Sequence, residues 1–80
     1  MSLTISKISG VLFVKDSANT NPKSFFGATG TYQFADDDTT VTIKIGTDIY
    51  TLTWQNLIVG TTVPQTVSDA KVLLNSIFGS

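Results

Sequence analysis

Residues 41–54 read VTIKIGTDIYTLTW, and their alternation decides the fold. Val41, Ile43 and Ile45 alternate with Thr40, Thr42 and Lys44. Gly46-Thr47 turns the chain, with Asp48 placed in the loop. Tyr50, Leu52 and Trp54 then alternate with Thr51 and Thr53. A period of two is that of a strand. The stretch therefore predicts a hairpin with one apolar and one threonine face. A one-residue slip would bury the threonines, so the pattern also fixes the register. The threonine face is either solvated or a pairing surface, because Thr makes cross-strand hydrogen bonds. Lys44 on that face is a mild guard against stacking of sheet edges.

Working outward, Tyr32 and Phe34 alternate with Thr31 and Gln33, which adds a strand before the hairpin. Asp36-Asp37-Asp38 breaks it. A short strand or bridge is expected at Leu57-Ile58-Val59. Residues 65–79 change to helical spacing, with Val67, Ala70, Leu73, Leu74, Ile77 and Phe78 on a broad stripe that also takes in Val72. Thr66 is the expected N-cap, Asp69 approximates the acidic partner of a capping box, and Gly79 is the expected stop. Residues 16–30 are turn-rich, punctuated by Asn19, Asn21, Pro22, Gly27 and Gly30. Phe25-Phe26 lies in this loop, either folded back over the core or exposed as a contact.

Toward the start, Leu3 and Ile5 alternate with Thr4 and Ser6. The unbroken run Val11-Leu12-Phe13-Val14 reads as a strand buried on both faces. A chain of 80 residues can cover few strands on both sides. A neighbouring subunit could cover this one, and residues 1–15 could be a strand or arm contributed to that neighbour. The prediction is a single small α+β domain over residues 1–80: a mainly antiparallel β-sheet with one C-terminal helix packed on a face.

Composition narrows the function classes. Hydrophobic residues make up 41% and charged residues 14%, against about 25% charged in a typical soluble domain. Thr occurs thirteen times, while Arg, Glu, His and Cys do not occur. Without Cys there is no disulfide, thiolate nucleophile or Cys zinc site. Without His the commonest general base and transition-metal ligand are missing. Five scattered Lys against six Asp, with no Arg, argue against nucleic-acid binding. No apolar run nears the ~20 residues of a membrane span. The start, MSLTISK, lacks a signal-peptide pattern, so synthesis in the cytoplasm without export is expected. A core this small needs reinforcement, and oligomerisation is the route left once disulfides and good metal ligands are removed.

Three short motifs bear on chemistry. Asp36-Asp37-Asp38 could bind Ca²⁺, but lacks the loop and final Glu of an EF-hand and reads as a solvated turn. Ser68-Asp69-Ala70-Lys71 matches Ser-x-x-Lys without the other motifs of that hydrolase class. Gly27-Ala28-Thr29-Gly30 lacks the Lys and spacing of a phosphate loop. No catalytic residue, metal ligand or cofactor is predicted.

Residues 41–79 resemble the short C-terminal module of small structural virion proteins of phages that infect Bacteroidota, crAss-like phages among them. The matching positions are Val41, Ile43, Ile45, Gly46, Tyr50, Thr51, Leu57, Val59, Gly60, Pro64, Leu74, Ile77, Phe78 and Gly79. They cover about half the chain, and the first half adds no match. The resemblance implies a capsid-associated component: a head-fibre, decoration or connector-associated protein, made in the host cytoplasm and resident in the virion. It carries over no catalytic residue.

The expected function is therefore non-enzymatic and structural, through contacts with copies of itself and with other virion proteins. The expected contact residues are Val11, Phe13, Phe25, Phe26, Leu74 and Phe78. The alternative is a recognition module binding a glycan or cell-surface ligand through Tyr32, Tyr50 or Trp54.

Overall fold

A computed structural model describes residues 2–17, 21–27 and 29–78. Seven strands and one helix follow in the order β1 (Leu3–Ile8), β2 (Val11–Asp16), β3 (Lys23–Phe25), β4 (Gly30–Phe34), β5 (Thr40–Ile45), β6 (Asp48–Thr53), β7 (Leu57–Val59) and α1 (Val67–Phe78). The class is α+β and mainly antiparallel. The strands form two sheets: four strands ordered β3-β2-β1-β7 and three ordered β4-β5-β6.

The hairpin read from residues 41–54 is present, with Val41 opposite Leu52, Ile43 opposite Tyr50 and Ile45 opposite Asp48. Asp48 starts the return strand rather than lying in the loop, which is the two-residue Gly46-Thr47. Val41, Ile43 and Ile45 are fully buried, whereas Thr51 and Thr53 are exposed. Trp54 departs from the expected alternation. The chain turns into a short 3-10 segment at Trp54–Asn56, and the indole is half-buried beside the end of β6.

A second tight hairpin joins β1 to β2. Ile8 is opposite Val11, and the loop between them is Ser9-Gly10, with φ of +52° and +80°. Positive φ at both central residues is the type I′ turn, whose twist matches that of the strands it joins. Residues 3–16 thus complete the chain's own sheet, with β7 running parallel to β1 on its other side. β2 alternates: Leu12 and Val14 are buried in the core, while Val11 and Phe13 are half-buried on the opposite face. The expected double burial is therefore met on one face only.

The inner faces of both sheets supply one core. Leu3, Ile5, Leu12, Val14, Leu57 and Val59 come from the four-stranded sheet, and Val41, Ile43, Ile45 and Leu52 from the other. Helix α1 adds Leu74 and Ile77 and touches both β4 and β7, an edge strand of each sheet. It packs across the edge strands of both sheets, burying Ala70, Leu74 and Ile77. At the opposite edges Lys23 of β3 reaches Asp48 of β6 at 2.5 Å. Thr66 caps α1, its Oγ1 accepting from the Asp69 N–H at 3.1 Å. The expected stop at Gly79 and the turn positions Asn19 and Ala28 lie outside the described residues.

Candidate functional site

The features that distinguish this surface lie on the outer face of the four-stranded sheet. Side chains alternate along a strand, so burying Leu3, Ile5, Leu12 and Val14 sends Thr4, Ser6, Ile8, Val11, Phe13 and Lys15 outward. The register sets them in rows: Ile8 beside Val11, Ser6 beside Phe13, and Thr4 beside Lys15. β3 ends at Phe25, which faces Leu12, and Phe26 follows it in a turn. Phe26 is 87% exposed and Ile8 61% exposed. A groove of about 300 Å³ runs beside Phe13, bounded by Ile8, Lys15 and Pro22.

This face carries hydroxyls, one ammonium at Lys15, and apolar side chains. What it can do chemically is remove apolar surface from water against a complementary surface, at roughly 25 cal/mol per Å² before association costs. On this face exposed Ile8 adjoins half-buried Val11, with the Phe13 ring on the same side of β2.

The six expected contact residues divide. Val11 and Phe13 share this outer face, and Phe26 is exposed in the turn that follows β3. Phe25, one residue from Phe26, points the other way and packs against the core. Leu74 has no exposed surface, so it cannot itself reach a partner while the fold is intact. Phe78 stacks on Tyr32 with centroids 6.5 Å apart and lies over Gly30. Leu74 and Phe78 thus serve the chain's own interior. Val72 meets the expectation of a broad helical stripe differently: it is exposed, close to Val63 in a shallow depression beside Pro64.

Ile8 was missed by the sequence reading. The signal for it was Ser9-Gly10: a two-residue turn there fixes Ile8 opposite Val11 and hence outward.

Tyr32, Tyr50 and Trp54 do not gather on a surface. Tyr32 and Tyr50 are on the inner face of the three-stranded sheet, on either side of Ile43. The Tyr32 hydroxyl donates to Asn75 Oδ1 at 2.5 Å, and its ring meets Phe34 edge-on at 6.0 Å. The Tyr50 hydroxyl donates to Asp48 Oδ2 at 3.3 Å. Burial, reinforced by the Asp48 charge, raises the Tyr50 pKa above the ordinary phenol value. Trp54 shares no ring contact with either tyrosine among the described residues.

The acidic groups are held by local partners. Asp37 accepts from the Thr39 N–H at 3.1 Å and the Thr39 hydroxyl at 2.7 Å, and these bonds lower its pKa. Asp38 lies 3.5 Å from Lys71, which also sits 5.1 Å from the Phe34 ring centre. The Asp36–Asp38 turn is thereby tied to α1. Among the described residues no group of three His, Cys, Asp or Glu is placed to hold a metal ion. No described helix is long and apolar enough to cross a membrane.

No protein-family model, curated protein or solved structure matches this chain.

Proposed function

We propose that this chain is a non-enzymatic structural protein of a phage virion, working through protein–protein contacts in a symmetric assembly with copies of itself and with other virion proteins. One observation carries the reading. Ile8, Val11 and Phe13 meet on one outer sheet face with no acidic group among them, and Phe26, in the turn after β3, is 87% exposed. Exposed apolar patches of this kind mark interaction surfaces. The low charge of the chain and the resemblance of residues 41–79 to small virion proteins support the same reading.

The test is absolute mass by light scattering over a concentration series, alone and mixed with other virion proteins. Phe26→Ala should weaken assembly while moving the unfolding free energy by less than about 0.5 kcal/mol. Phe25→Ala should instead destabilise the fold, because that ring packs on the core. A strictly monomeric chain that also fails to join other virion proteins would overturn the proposal. Assembly by Phe26→Ala equal to that of the natural chain would remove this face from it.

A further inference from the structure

Sheet edges carry main-chain donors and acceptors that another strand can pair, and proteins usually guard them. Three of the four edges here are guarded. β3 is only three residues long and carries Lys23. β7 is equally short, and the chain folds back on it through paired hydrogen bonds between Val59 and Thr62, at 3.0 and 2.9 Å. β4 has α1 against it. β6 is different. It runs for six residues, DIYTLT, with an unbroken register and neither Lys nor Pro.

The direction of its backbone groups follows from the hairpin. A two-residue loop makes Ile45 and Asp48 a hydrogen-bonded pair, and such pairs alternate along an antiparallel ladder. Asp48, Tyr50 and Leu52 therefore direct their N–H and C=O toward β5. The Trp54 N–H continues that series, donating to the Thr39 carbonyl at 3.4 Å. Ile49, Thr51 and Thr53 direct theirs away from the sheet; the Thr53 carbonyl takes the first hydrogen bond of the 3-10 segment that it caps, and no main-chain hydrogen bond from another element reaches Ile49, Thr51 or the Thr53 N–H among the described residues. Ile49 is 64% exposed.

We propose that β6 pairs antiparallel with β6 of a second copy about a two-fold axis at Thr51, merging two three-stranded sheets into one of six strands. This register pairs every outward N–H, and the Thr53 carbonyl is shared with the 3-10 segment that follows it. Thr51 faces Thr51 of the second copy, and Ile49 faces Thr53 in both directions. The inner faces stay aligned, with Tyr50 opposite Leu52. Residues 49–53 carry no charge, and each Asp48 is carried to the far end from its counterpart, so no like charges meet. A foreign strand would satisfy the same backbone groups, but only the chain itself brings this self-complementary sequence. An edge pair buries less than the about 800 Å² per partner of a standard interface. The pairing is therefore concentration-dependent, and it is reinforced when the separate outer face of the other sheet is also engaged.

The experiment is amide hydrogen exchange by NMR on the full chain across concentration, alongside sedimentation. Protection at Ile49, Thr51 and Thr53 should rise at least about tenfold as the dimer forms, while Tyr50 and Leu52 are protected throughout. Thr51→Lys sets two ammonium groups face to face. Thr51→Pro removes an N–H that the monomer does not use. Both should lose association by at least about tenfold and keep the protection of Tyr50 and Leu52, which shows that the hairpin survives. Gln33→Lys, on the same outer face but in β4, should associate normally. Phe26→Ala should still gain protection at the three edge amides, which separates this edge from the face proposed for virion contacts. A chain that stays monomeric to about 1 mM, association with those amides unprotected, or undiminished association of Thr51→Lys would each overturn the pairing.

Discussion

Gly30 shows how much one hydrogen atom decides. A Cβ there would sit 2.2 and 2.5 Å from two ring carbons of Phe78, well inside contact distance. The ring lies flat over the strand because nothing projects from it, and from there it stacks on Tyr32. Gly30→Ala should destabilise the protein by about 1–3 kcal/mol in urea unfolding, as overpacking does. Adding Phe78→Leu should recover part of that loss, and a double-mutant cycle would measure the coupling. Strict additivity would mean that the two positions do not touch in solution. The sequence marked Gly30 only as turn punctuation. Its role depends on a ring 48 positions later, and no local pattern carries that information. Phe25 and Phe26 teach the same lesson in smaller compass. They are chemically identical, and only the pairing of Lys23–Phe25 with β2 decides which ring enters the core.

Among the elements, the β5–β6 hairpin was legible because side-chain period and turn residues agree, whereas the unbroken apolar run Val11–Val14 hid the β1–β2 hairpin. The buried face of β5 follows from Val41, Ile43 and Ile45, although Asp48 was read into the loop and in fact pairs with Ile45, and the helix follows from its spacing and its Thr66 cap. β3 was not legible. Three residues, KSF, are too few to show a period, and they became a strand because β2 offered them a free edge. The end of β6 was misread for a related reason: Trp54 keeps the alternation in sequence, but the 3-10 turn carries it out of the strand. The contact of β3 with β6 also makes a prediction. Lys23 holds the Asp48 carboxyl below its ordinary pKa. The folded chain then binds that proton less tightly than the unfolded chain does. The stabilisation is present above the unfolded pKa and is lost as pH falls through the folded one, below about pH 4. Asp37 acts in the same direction. The melting temperature should drop between about pH 5 and pH 3. Asp48→Asn should lower it at neutral pH and flatten that acid limb. An unchanged limb would show that the pair is not formed in solution. Because the pair faces solvent, raising the salt concentration should shrink the difference between the two proteins.

At the scale of the whole molecule, the α+β class was readable from the order of periods, strands first and a helix last. The division into two sheets was not. Nor was the place of β7, which joins the first sheet by lying parallel to β1, with Leu3 beside Leu57 and Ile5 beside Val59. Such a partnership leaves no trace in the spacing of either segment. It does leave one in time. Both tight hairpins close over two-residue loops, whereas β1 and β7 meet only after a loop of some fifty residues is drawn shut, at an entropic cost that grows with loop length. The order of events should follow: hairpins in the rate-limiting step, the seventh strand afterwards. Val59→Ala should accordingly speed unfolding and leave the refolding rate nearly untouched, whereas Val41→Ala should slow refolding. Equal effects on refolding would show that the parallel pair forms early. If the pair does form late, the first hairpin of each newly made chain waits with an open flank until residues 57–59 arrive. Where chains are concentrated, that interval is when two of them could exchange their seventh strands.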